Sequence, residues 1–467
     1  MKKAELVFVP TPGMGHLAST LEAAKLLLDR HHRLSITVLI IKRSSDTLVS
    51  SFVNSIAKSD RIQFIELPNV DEGSLGFGFI DKQIPHVKEA VFKLTARPDL
   101  SLAGFVLDMF CTSIMDVAKE FGVPSYIFFT SGASFFGFML YMQLIHDEQE
   151  VDPTQFKDSD GELPVPSLAN PLPPRVLPSV VLVKEWLFFF LHYARRYREA
   201  KGIMVNTFME LESYALNSLG DANSNIPPIY PVGPILSLEG DSHSHNVGPD
   251  GSKIMEWLDD QPPSSVVFLC FGSMGGFEMN QAKEIACALE QSGHRFLWSL
   301  RRPPPKGKIE LSADYQNFQE ILPEGFLDRT AGIGKVIGWA PQVAILAHAA
   351  IGGFVSHCGW NSILESIWFG VPIATWPMYA EQQFNAFLMV TELGLGVEIK
   401  MDYRRESEII VSAQDIERGI RCVMEHDSEI RKRVKEMSEN SKKALKDDGS
   451  SYFCVNRLIE DVMDNLP

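Results

Sequence analysis

Two side chains in the first quarter of the chain have the chemistry of a proton-transfer pair. His16 lies in a glycine-rich turn after the apolar run Leu6–Val9, and Asp108 directly follows the apolar run Phe105–Leu107. An imidazole can accept a proton from a hydroxyl near neutral pH, and a carboxylate on its second nitrogen would fix the tautomer and stabilise the imidazolium. The alternatives are a histidine that only packs in its turn and an acid that caps the next helix.

A polar turn in the second half of the chain has the composition of an anion site. The turn Ser356–Ser362 follows the apolar run Gly353–Val355 and precedes a helical pattern. Backbone N–H groups and the positive end of the helix dipole would converge there. His357, Asn361 and Ser362 add hydrogen-bond donors suited to a diphosphate.

Two residues near this turn allow two interpretations each. Glu365 either completes a capping box with Ser362 or accepts hydrogen bonds from ribose hydroxyls. Trp339, which follows the run Lys335–Ile337, either packs in the core or stacks on a base.

The remaining polar candidates concern a sugar, a second phosphate and a metal. Glu381 and Gln382 either begin a helix or bond sugar hydroxyls, and the loop Gly272–Gly276 permits close backbone approach to a phosphate. The Asp-x-Asp sequence at 158–160 lies in an acidic, proline-rich insert rather than after a strand. We therefore predict a solvated loop there and no metal requirement.

The elements that must position these side chains alternate between strand and helix. Short apolar runs, typical of buried parallel strands, recur through both halves of the chain. They lie at Leu6–Val9, Ile36–Ile41, Ile62–Leu67, Phe105–Leu107, Tyr126–Phe129, Ile203–Val205, Val266–Phe271, Phe296–Leu300, Lys335–Ile337, Gly353–Val355, Ile373–Thr375 and Val397–Ile399. Helical patterns lie at Ser19–Leu28, Ser113–Phe121, Asn280–Gln291, Ser362–Phe369 and Gln382–Glu392. We predict an α/β protein with two doubly wound parallel-sheet domains and ligands at the carboxyl ends of both sheets.

The alternation pauses in a segment rich in glycine, serine and histidine, which is typical of an interdomain linker. We predict a first domain over 1–235, a linker over 236–252 and a second domain over 253–445. Within 446–467 we expect a helix that packs back on the first domain.

Composition and charge exclude several classes of function. The 467 residues are 45% hydrophobic and 22% charged, as in a globular protein, and the net charge of −16 argues against non-specific nucleic-acid binding. Six cysteines without a C-x-x-C pair favour buried free thiols in a reducing compartment.

Two apolar stretches raise the question of a membrane. Polar breaks within Gly122–His146 predict a buried strand and helix rather than a span. The run Trp186–Phe190, followed by three arginines, is interpreted as a helix at the cleft mouth with a solvated basic end; contact with a membrane surface is the alternative.

A weaker motif lies at the start of the chain. Gly13, Gly15 and Ala18 fit the dinucleotide-binding pattern G-x-G-x-x-A, but Lys42 and Arg43, rather than an acid, follow the second strand. Arg43 would suit a 2′-phosphate, so an NADP-dependent oxidoreductase is one alternative function. A non-catalytic protein that binds a nucleotide sugar is another.

The segment 339–382 resembles the 44-residue signature box of the plant secondary-product UDP-glycosyltransferases of family 1. Its length, its runs WAPQ and HCGWNS and its terminal Glu-Gln agree with that box. Gly15-His16 and Phe271-Gly272-Ser273 agree with the same family. The resemblance covers essentially the whole chain and implies a GT-B fold, with the acceptor bound by the first Rossmann-like domain and the UDP-sugar by the second.

The resemblance also implies roles for individual residues. His16 would be the catalytic base and Asp108 its partner. The donor-binding residues would be Ser273, Trp339, Ala340, Gln342, His357, Trp360, Asn361, Ser362, Glu365, Tyr379, Glu381 and Gln382. Trp339 would stack on uracil and Glu365 would bind ribose. Trp360, Glu381 and Gln382 would contact the sugar. Many relatives have aspartate where this chain has Glu381.

The implied reaction is inverting transfer of glucose from UDP-glucose to a hydroxyl of a lipophilic small molecule, a flavonoid, another phenolic or a terpenoid, to give a β-O-glucoside. The candidate acceptor-binding residues, each of which could equally be core, are Gly15, Phe110, Thr130, Phe135, Phe138, Met142 and Phe188. UDP-sugar would be a co-substrate, with no cofactor and no metal. We expect a cytoplasmic monomer without a nucleic-acid partner or an integral membrane span.

Overall fold

A computed structural model describes residues 2–43, 49, 52–53, 60–70, 78–220, 225–238, 249–304 and 311–466. Most of the predicted linker 236–252 lies outside these residues. The predicted domain boundaries therefore stay predictions.

The first lobe is built on a parallel sheet of seven strands within the described residues. The strands are β1 (Lys3–Val9), β2 (Leu34–Ile40), β3 (Ile62–Glu66), β4 (Leu100–Asp108), β5 (Ser125–Phe129), β6 (Gly202–Val205) and β7 (Ile229–Pro231). Their order is β3-β2-β1-β4-β5-β6-β7, and each neighbouring pair is parallel. β2 is buried along its whole length, because both faces of the sheet are covered by helices.

The second lobe repeats this design with a parallel sheet of six strands, again counted over the described residues. The remaining strands are β8 (Val266–Cys270), β9 (Arg295–Ser299), β10 (Arg301–Arg302), β11 (Ala313–Asp314), β12 (Gly334–Ile337), β13 (Ile351–Ser356), β14 (Ile373–Thr375) and β15 (Gly396–Glu398). The sheet order is β12-β9-β8-β13-β14-β15, and β10 pairs with β11 in a separate antiparallel ribbon. The predicted pair of doubly wound sheets is thus present.

Helices connect the strands in both lobes. Those of the first lobe are Met14–Arg30, Ile84–Thr95, Met115–Glu120, Ala133–Gln149, Ser179–Leu182, Lys184–Tyr197 and Ser213–Leu219. Those of the second are Pro249–Asp259, Met279–Ser292, Phe326–Thr330, Gln342–Leu346, Trp360–Phe369, Gln382–Phe387, Ala413–Met424 and Glu429–Ala444, and the last helix is Ser450–Met463. Short 3-10 turns lie at Asp81–Gln83, Thr112–Ile114, Pro153–Asp158, Pro174–Val176 and Phe318–Glu320.

Several helix ends differ from the predicted ones. The first helix begins at Met14, so His16 lies in its first turn rather than in the turn before it. The predicted helix Gln382–Glu392 is α-helical only to Phe387 and continues as the wider π-helical turn Leu388–Glu392. An apolar pattern marks the buried face of a helix and does not fix the residue at which the helix begins or ends.

The last helix returns to the first lobe. Val455, Leu458, Ile459 and Val462 are buried in a cluster with side chains of the first sheet, such as those of Leu6 and Val38. The hydroxyl of Tyr230, on β7, donates to Asp461. The chain therefore passes from the first lobe to the second and back again.

Two predictions about the chain surface need correction. All six cysteines are free, but only three of them are buried: Cys287 and Cys454 are half-buried and Cys422 is exposed. The basic end of the helix Lys184–Tyr197 is not simply solvated, because Arg195 pairs with Asp147 and Arg196 with Asp116.

Over the described residues, no helix combines the length and apolarity needed to cross a bilayer.

Candidate active site

The sequence separates His16 from Asp108 by 92 residues, and the fold brings them into contact. His16 Nδ1 lies 2.8 Å from Asp108 Oδ2. The contact forms because β1 and β4 are neighbours in the sheet, so the helix that starts after β1 and the last residue of β4 meet at its carboxyl edge. The Asp108 side chain is fully buried and that of His16 is 29% exposed, which leaves part of the imidazole open to a ligand.

The other carboxylate oxygen of Asp108 is held by groups that sequence reasoning did not select. The hydroxyl of Thr11 donates to Oδ1 at 2.5 Å, and the backbone N–H of Phe110 donates to it at 3.2 Å. Thr11 follows β1 and gave no motif that could have singled it out. These bonds fix the carboxylate, so it can orient the imidazole; they also show that Asp108 does not serve merely to cap the next helix.

The charges around His16 favour its protonated form. Burial opposes the charge on the ring, but the carboxylate of Asp108 and, more weakly, that of Glu381 outweigh it and raise the pKa of His16 above its ordinary value. A raised pKa strengthens the ring as a base. Because Nδ1–H is donated to Asp108, Nε2 is the nitrogen left to accept a proton.

The predicted acceptor-binding residues fall into two groups. Gly15, Phe110 and Thr130 lie at the dyad: the Phe110 ring meets the His16 ring edge-on at 5.6 Å, and Thr130 Oγ1 lies 3.3 Å from His16 Nδ1. Gly15 is exposed in the same helix turn, and a Cβ there would meet nothing within 4 Å. These three residues therefore lie beside His16.

Of the other four predicted acceptor residues, three are buried and one is exposed. Phe135 and Phe138 are buried and pack on Phe384 of the second lobe, with ring centroids 5.5 and 5.1 Å apart. Met142 is fully buried in the same core cluster. Phe188 is exposed and lines a surface groove of about 660 Å³ whose lining includes neither His16 nor any predicted donor residue. The apolar character of these side chains is explained by packing and, for Phe188, by that separate groove.

In the second lobe, the polar turn leads into the helix Trp360–Phe369. Gly359 is the N-cap and no side chain caps this end, so the first backbone N–H groups are open to a ligand. The capping-box interpretation of Glu365 is wrong, because Ser362 lies inside the helix. Glu365 Oε2 and Ser362 Oγ instead both accept from Gln342 Nε2, at 2.7 and 2.8 Å.

His357 is a neutral histidine packed between two glycines. Burial lowers its pKa to about 4. A Cβ at Gly272 or at Gly359 would lie 2.5 or 2.7 Å from His357 Nε2, so neither position has room for a side chain. The Nδ1 atom is buried without a hydrogen-bond partner in the described structure. The ring can therefore act as a neutral donor to an anion.

Three further donor candidates surround this turn. Trp339 is 45% exposed, which is unusual for a core tryptophan and leaves its face free for stacking. Ala340 is buried beside it. Ser273 is exposed in the glycine loop, and its carbonyl accepts from Arg301 at 3.1 Å.

Glu381, near the end of the signature box, contacts the first lobe. Burial raises the pKa of Glu381, whose Oε1 lies 3.5 Å from the hydroxyl of Ser131 in the first lobe. Gln382 is buried, and its Oε1 accepts from the backbone N–H groups of Met378 and Tyr379 at 2.9 and 3.0 Å. The side chain of Gln382 also bonds the phenol of Tyr379, so it is held within the box.

Two predicted donor residues take part in the interface between the lobes. The indole of Trp360 is 3% exposed and donates to the Asn206 carbonyl at 2.7 Å. Asn361 Nδ2 donates to Ser19 Oγ at 3.2 Å. The structure thus places the Trp360 side chain in a contact between lobes rather than facing a sugar. Across the described residues, no group of three or more histidine, cysteine or acidic side chains is arranged to hold a metal.

The family model and the known proteins that match this chain agree with one another. Residues 205–441 match the family model described as UDP-glucoronosyl and UDP-glucosyl transferase. The chain is 78% identical over 389 residues to anthocyanidin 3-O-glucosyltransferase 6 of Manihot esculenta, covering 83% of this chain and 98% of the relative. It is 58% identical over 478 residues to UDP-glucose flavonoid 3-O-glucosyltransferase 6 of Fragaria ananassa, covering 99% of each.

Solved structures resemble the chain over nearly its full length. A ugt transferase from Siraitia grosvenorii in complex with UDP superposes with a TM-score of 0.89 at 52% identity, covering 99% of this chain and all of the other. UGT71G1 of Medicago truncatula, complexed with UDP-glucose, gives a TM-score of 0.88 at 44% identity, covering 98% of each chain.

Proposed function

The chain belongs to the plant family 1 UDP-glycosyltransferases, and from that premise we propose that it transfers glucose from UDP-glucose to a hydroxyl of a flavonoid or related phenol. The GT-B fold implied by the signature box is confirmed, and the NADP-dependent oxidoreductase is set aside. Relatives named as anthocyanidin and flavonoid 3-O-glucosyltransferases support glucose as the sugar and a flavonoid as the acceptor.

The observation that carries the mechanism is the contact between His16 and Asp108 at the edge of the cleft. Nε2 of His16 takes the proton of the acceptor hydroxyl, and the oxygen attacks the anomeric carbon of the sugar. Asp108 stabilises the imidazolium that forms, without itself taking the proton. Attack from the face opposite the leaving UDP inverts the configuration and gives a β-O-glucoside.

The second lobe would bind the UDP-sugar donor and stabilise the negative charge that develops on the leaving UDP. As the bond from the anomeric carbon to the diphosphate breaks, its electron pair passes to UDP. The open N-terminus of the helix Trp360–Phe369, with neutral His357 and Ser273, offers hydrogen-bond donors to that charge. We propose that these donors, rather than a bound metal, stabilise the departing diphosphate.

Nucleoside and sugar would be held on either side of this helix. Trp339 stacks on uracil, with Ala340 beside it, and Glu365, oriented by Gln342, accepts from the ribose hydroxyls. Glu381, Gln382 and Tyr379 face the sugar, and Glu381 adds negative charge near the imidazolium. The free thiols support our proposal of a reducing compartment, the cytoplasm.

The test is an assay of the full chain with UDP-glucose and two matched acceptors, quercetin and luteolin, which differ by the 3-hydroxyl. We expect mass spectrometry to find a monoglucoside of quercetin and NMR to give a β anomer. A smaller yield from luteolin would support transfer to the 3-hydroxyl. Tight UDP binding with no product from either compound would contradict the proposal and favour a non-catalytic binding protein.

A further inference from the structure

Residues 163–179, here called the strap, are attached to the first lobe. Ser167 is buried, and its hydroxyl donates to the carbonyl of Ser134 at 2.8 Å. Gly137 permits this contact, because a Cβ there would lie 2.4 Å from the Cβ of Ser167. The hydroxyl of Ser218, on a helix of the first lobe, also donates to the carbonyl of Pro166 at 2.8 Å. Movement of the strap therefore requires movement of the first lobe.

A carboxylate of the second lobe accepts hydrogen bonds from the middle of the strap. Glu392, at the end of the π-helical turn Leu388–Glu392, accepts from the backbone N–H of Ala169 at 2.8 Å and from that of Asn170 at 2.9 Å. Both of its oxygens are used. Hydrogen bonds to an ionised acceptor are stronger than those between neutral groups, so this contact resists opening.

A guanidinium of the second lobe donates hydrogen bonds to the C-terminal end of the strap. Arg404 Nη2 donates to the carbonyls of Leu177 and Arg175 at 2.7 and 3.2 Å, and Nη1 donates to Ser179 Oγ at 2.9 Å. Three bonds from one planar group fix its position and direction. One charged side chain thus binds N–H groups of the strap and an oppositely charged one binds its oxygens.

Arg405, the residue after Arg404, contacts residues near the proposed donor site. The Arg405 guanidinium lies over the Tyr379 ring, 5.3 Å from its centroid, and Nη1 donates to the Met274 carbonyl at 3.4 Å. Met274 belongs to the glycine loop and Tyr379 to the signature box. One short loop therefore contacts both the strap and the proposed donor site.

We propose that Glu392 and Arg404 are positioning residues for glucosyl transfer, which hold the lobes in the arrangement that places His16 opposite the donor site. The inference rests on the proposed function. Both side chains bond the strap rather than the proposed substrate-binding groups, so each acts through the placement of a lobe.

The experiment compares Arg404→Ala, Arg404→Lys, Glu392→Gln and the double variant Arg404→Ala/Glu392→Gln with the wild-type chain. We expect Arg404→Ala to lower kcat by about tenfold to hundredfold, because small misplacements of reacting groups cost that much. The Kd for UDP should stay within about twofold, because the nucleotide site lies within the second lobe. Small-angle scattering should give a larger radius of gyration.

The milder variants separate positioning from damage. Arg404→Lys should recover part of kcat, because lysine keeps the charge but its single ammonium group cannot span all three acceptors. The double variant should lose less than the product of its single losses, because both residues hold the same strap. Arg418→Ala, which removes an exposed arginine paired with Asp415 on its own helix, is the matched control and should match wild type.

Two results would overturn the inference. One is unchanged kcat in the double variant. The other is a parallel loss of UDP affinity and kcat at constant radius of gyration, which would indicate local damage to the second lobe. If the wild-type chain transfers no glucose, the proposed function fails, while the scattering comparison still decides whether the strap holds the lobes together.

Discussion

At the scale of single residues, the chemistry depends on how a buried carboxylate is held. Asp108 accepts from Thr11 and from a backbone N–H on one oxygen, and its other oxygen is left for His16. A carboxylate fixed in this way keeps its direction as a proton arrives on the imidazole. The pH dependence of the reaction should therefore report on this contact.

We predict that Asp108→Asn moves the acidic limb of the kcat/KM profile to lower pH. The wild-type limb should have its midpoint above the ordinary histidine value of 6.5, because His16 must lose its proton to act as a base and its pKa is raised. Without the carboxylate charge the pKa falls, and so does the midpoint. The plateau should drop by about 10²- to 10⁴-fold, because the imidazolium loses its partner.

The matched control is Asp116→Asn, which removes an exposed carboxylate paired with Arg196. Its profile should overlay that of wild type. A midpoint for Asp108→Asn that is unchanged or higher than the wild-type midpoint would contradict the assigned roles.

The sequence could predict His16 and Asp108 because each follows an apolar strand at the edge where ligands bind. It could not predict Thr11, Glu392 or Arg404, because their partners are remote in sequence and their residue types are common on surfaces. Arg404, for example, bonds Leu177 across 227 positions. The family resemblance implies that Trp360 contacts the sugar. The signature box gives the order of the residues along the chain, but it does not show which lobe the side chain of Trp360 faces.

At the scale of elements, the donor site depends on glycines that admit a neutral histidine. Gly272 has a φ of +74°, and its missing side chain leaves room for the His357 ring. Gly293, at the end of the helix Met279–Ser292, has a nearly equal φ of +68°, but a Cβ there would meet nothing within 4 Å. The two positions share backbone strain and differ in crowding.

We predict that Gly272→Ala weakens UDP binding and that Gly293→Ala does not. A Cβ at 272 would displace the His357 ring, and loss of its hydrogen bond to the diphosphate would cost about 1.5–3 kcal/mol, or roughly 10- to 150-fold in Kd. Isothermal titration calorimetry with UDP on both variants is the measurement. Equal affinities for the two variants would show that the glycine at 272 serves only its backbone conformation.

Most strands could be predicted because parallel strands covered on both faces are continuous apolar runs. β7 was missed because it has only three residues, Ile229–Pro231, and ends in proline. The β10–β11 ribbon was missed because two-residue strands carry no pattern. Helix starts at Met14 and Trp360 were placed too late, since the polar first turns of both helices read as loop.

At the scale of the whole molecule, the last helix completes the core of the first lobe. Leu458 is 1% exposed within the cluster that contains side chains of the first sheet, whereas Phe453 on the same helix is 54% exposed. We predict that Leu458→Ala lowers the free energy of unfolding by about 2–5 kcal/mol, because it leaves a cavity. Phe453→Ala should change it by less than about 0.5 kcal/mol.

Thermal and urea unfolding of both variants measure this difference. If Leu458→Ala proved no less stable than Phe453→Ala, the helix would not contribute to the core as described.

The return of the chain also limits how the cleft can open. The polypeptide joins the two bodies at two separate places, once between residues 231 and 249 and again between 444 and 450. The second of these connections, residues 445–449, is only five residues long, so the two lobes stay close together at that point when the cleft opens. Entry of a nucleotide sugar and exit of a glucoside should then both require the lobes to separate most at the parts of the cleft that are far from this short connection.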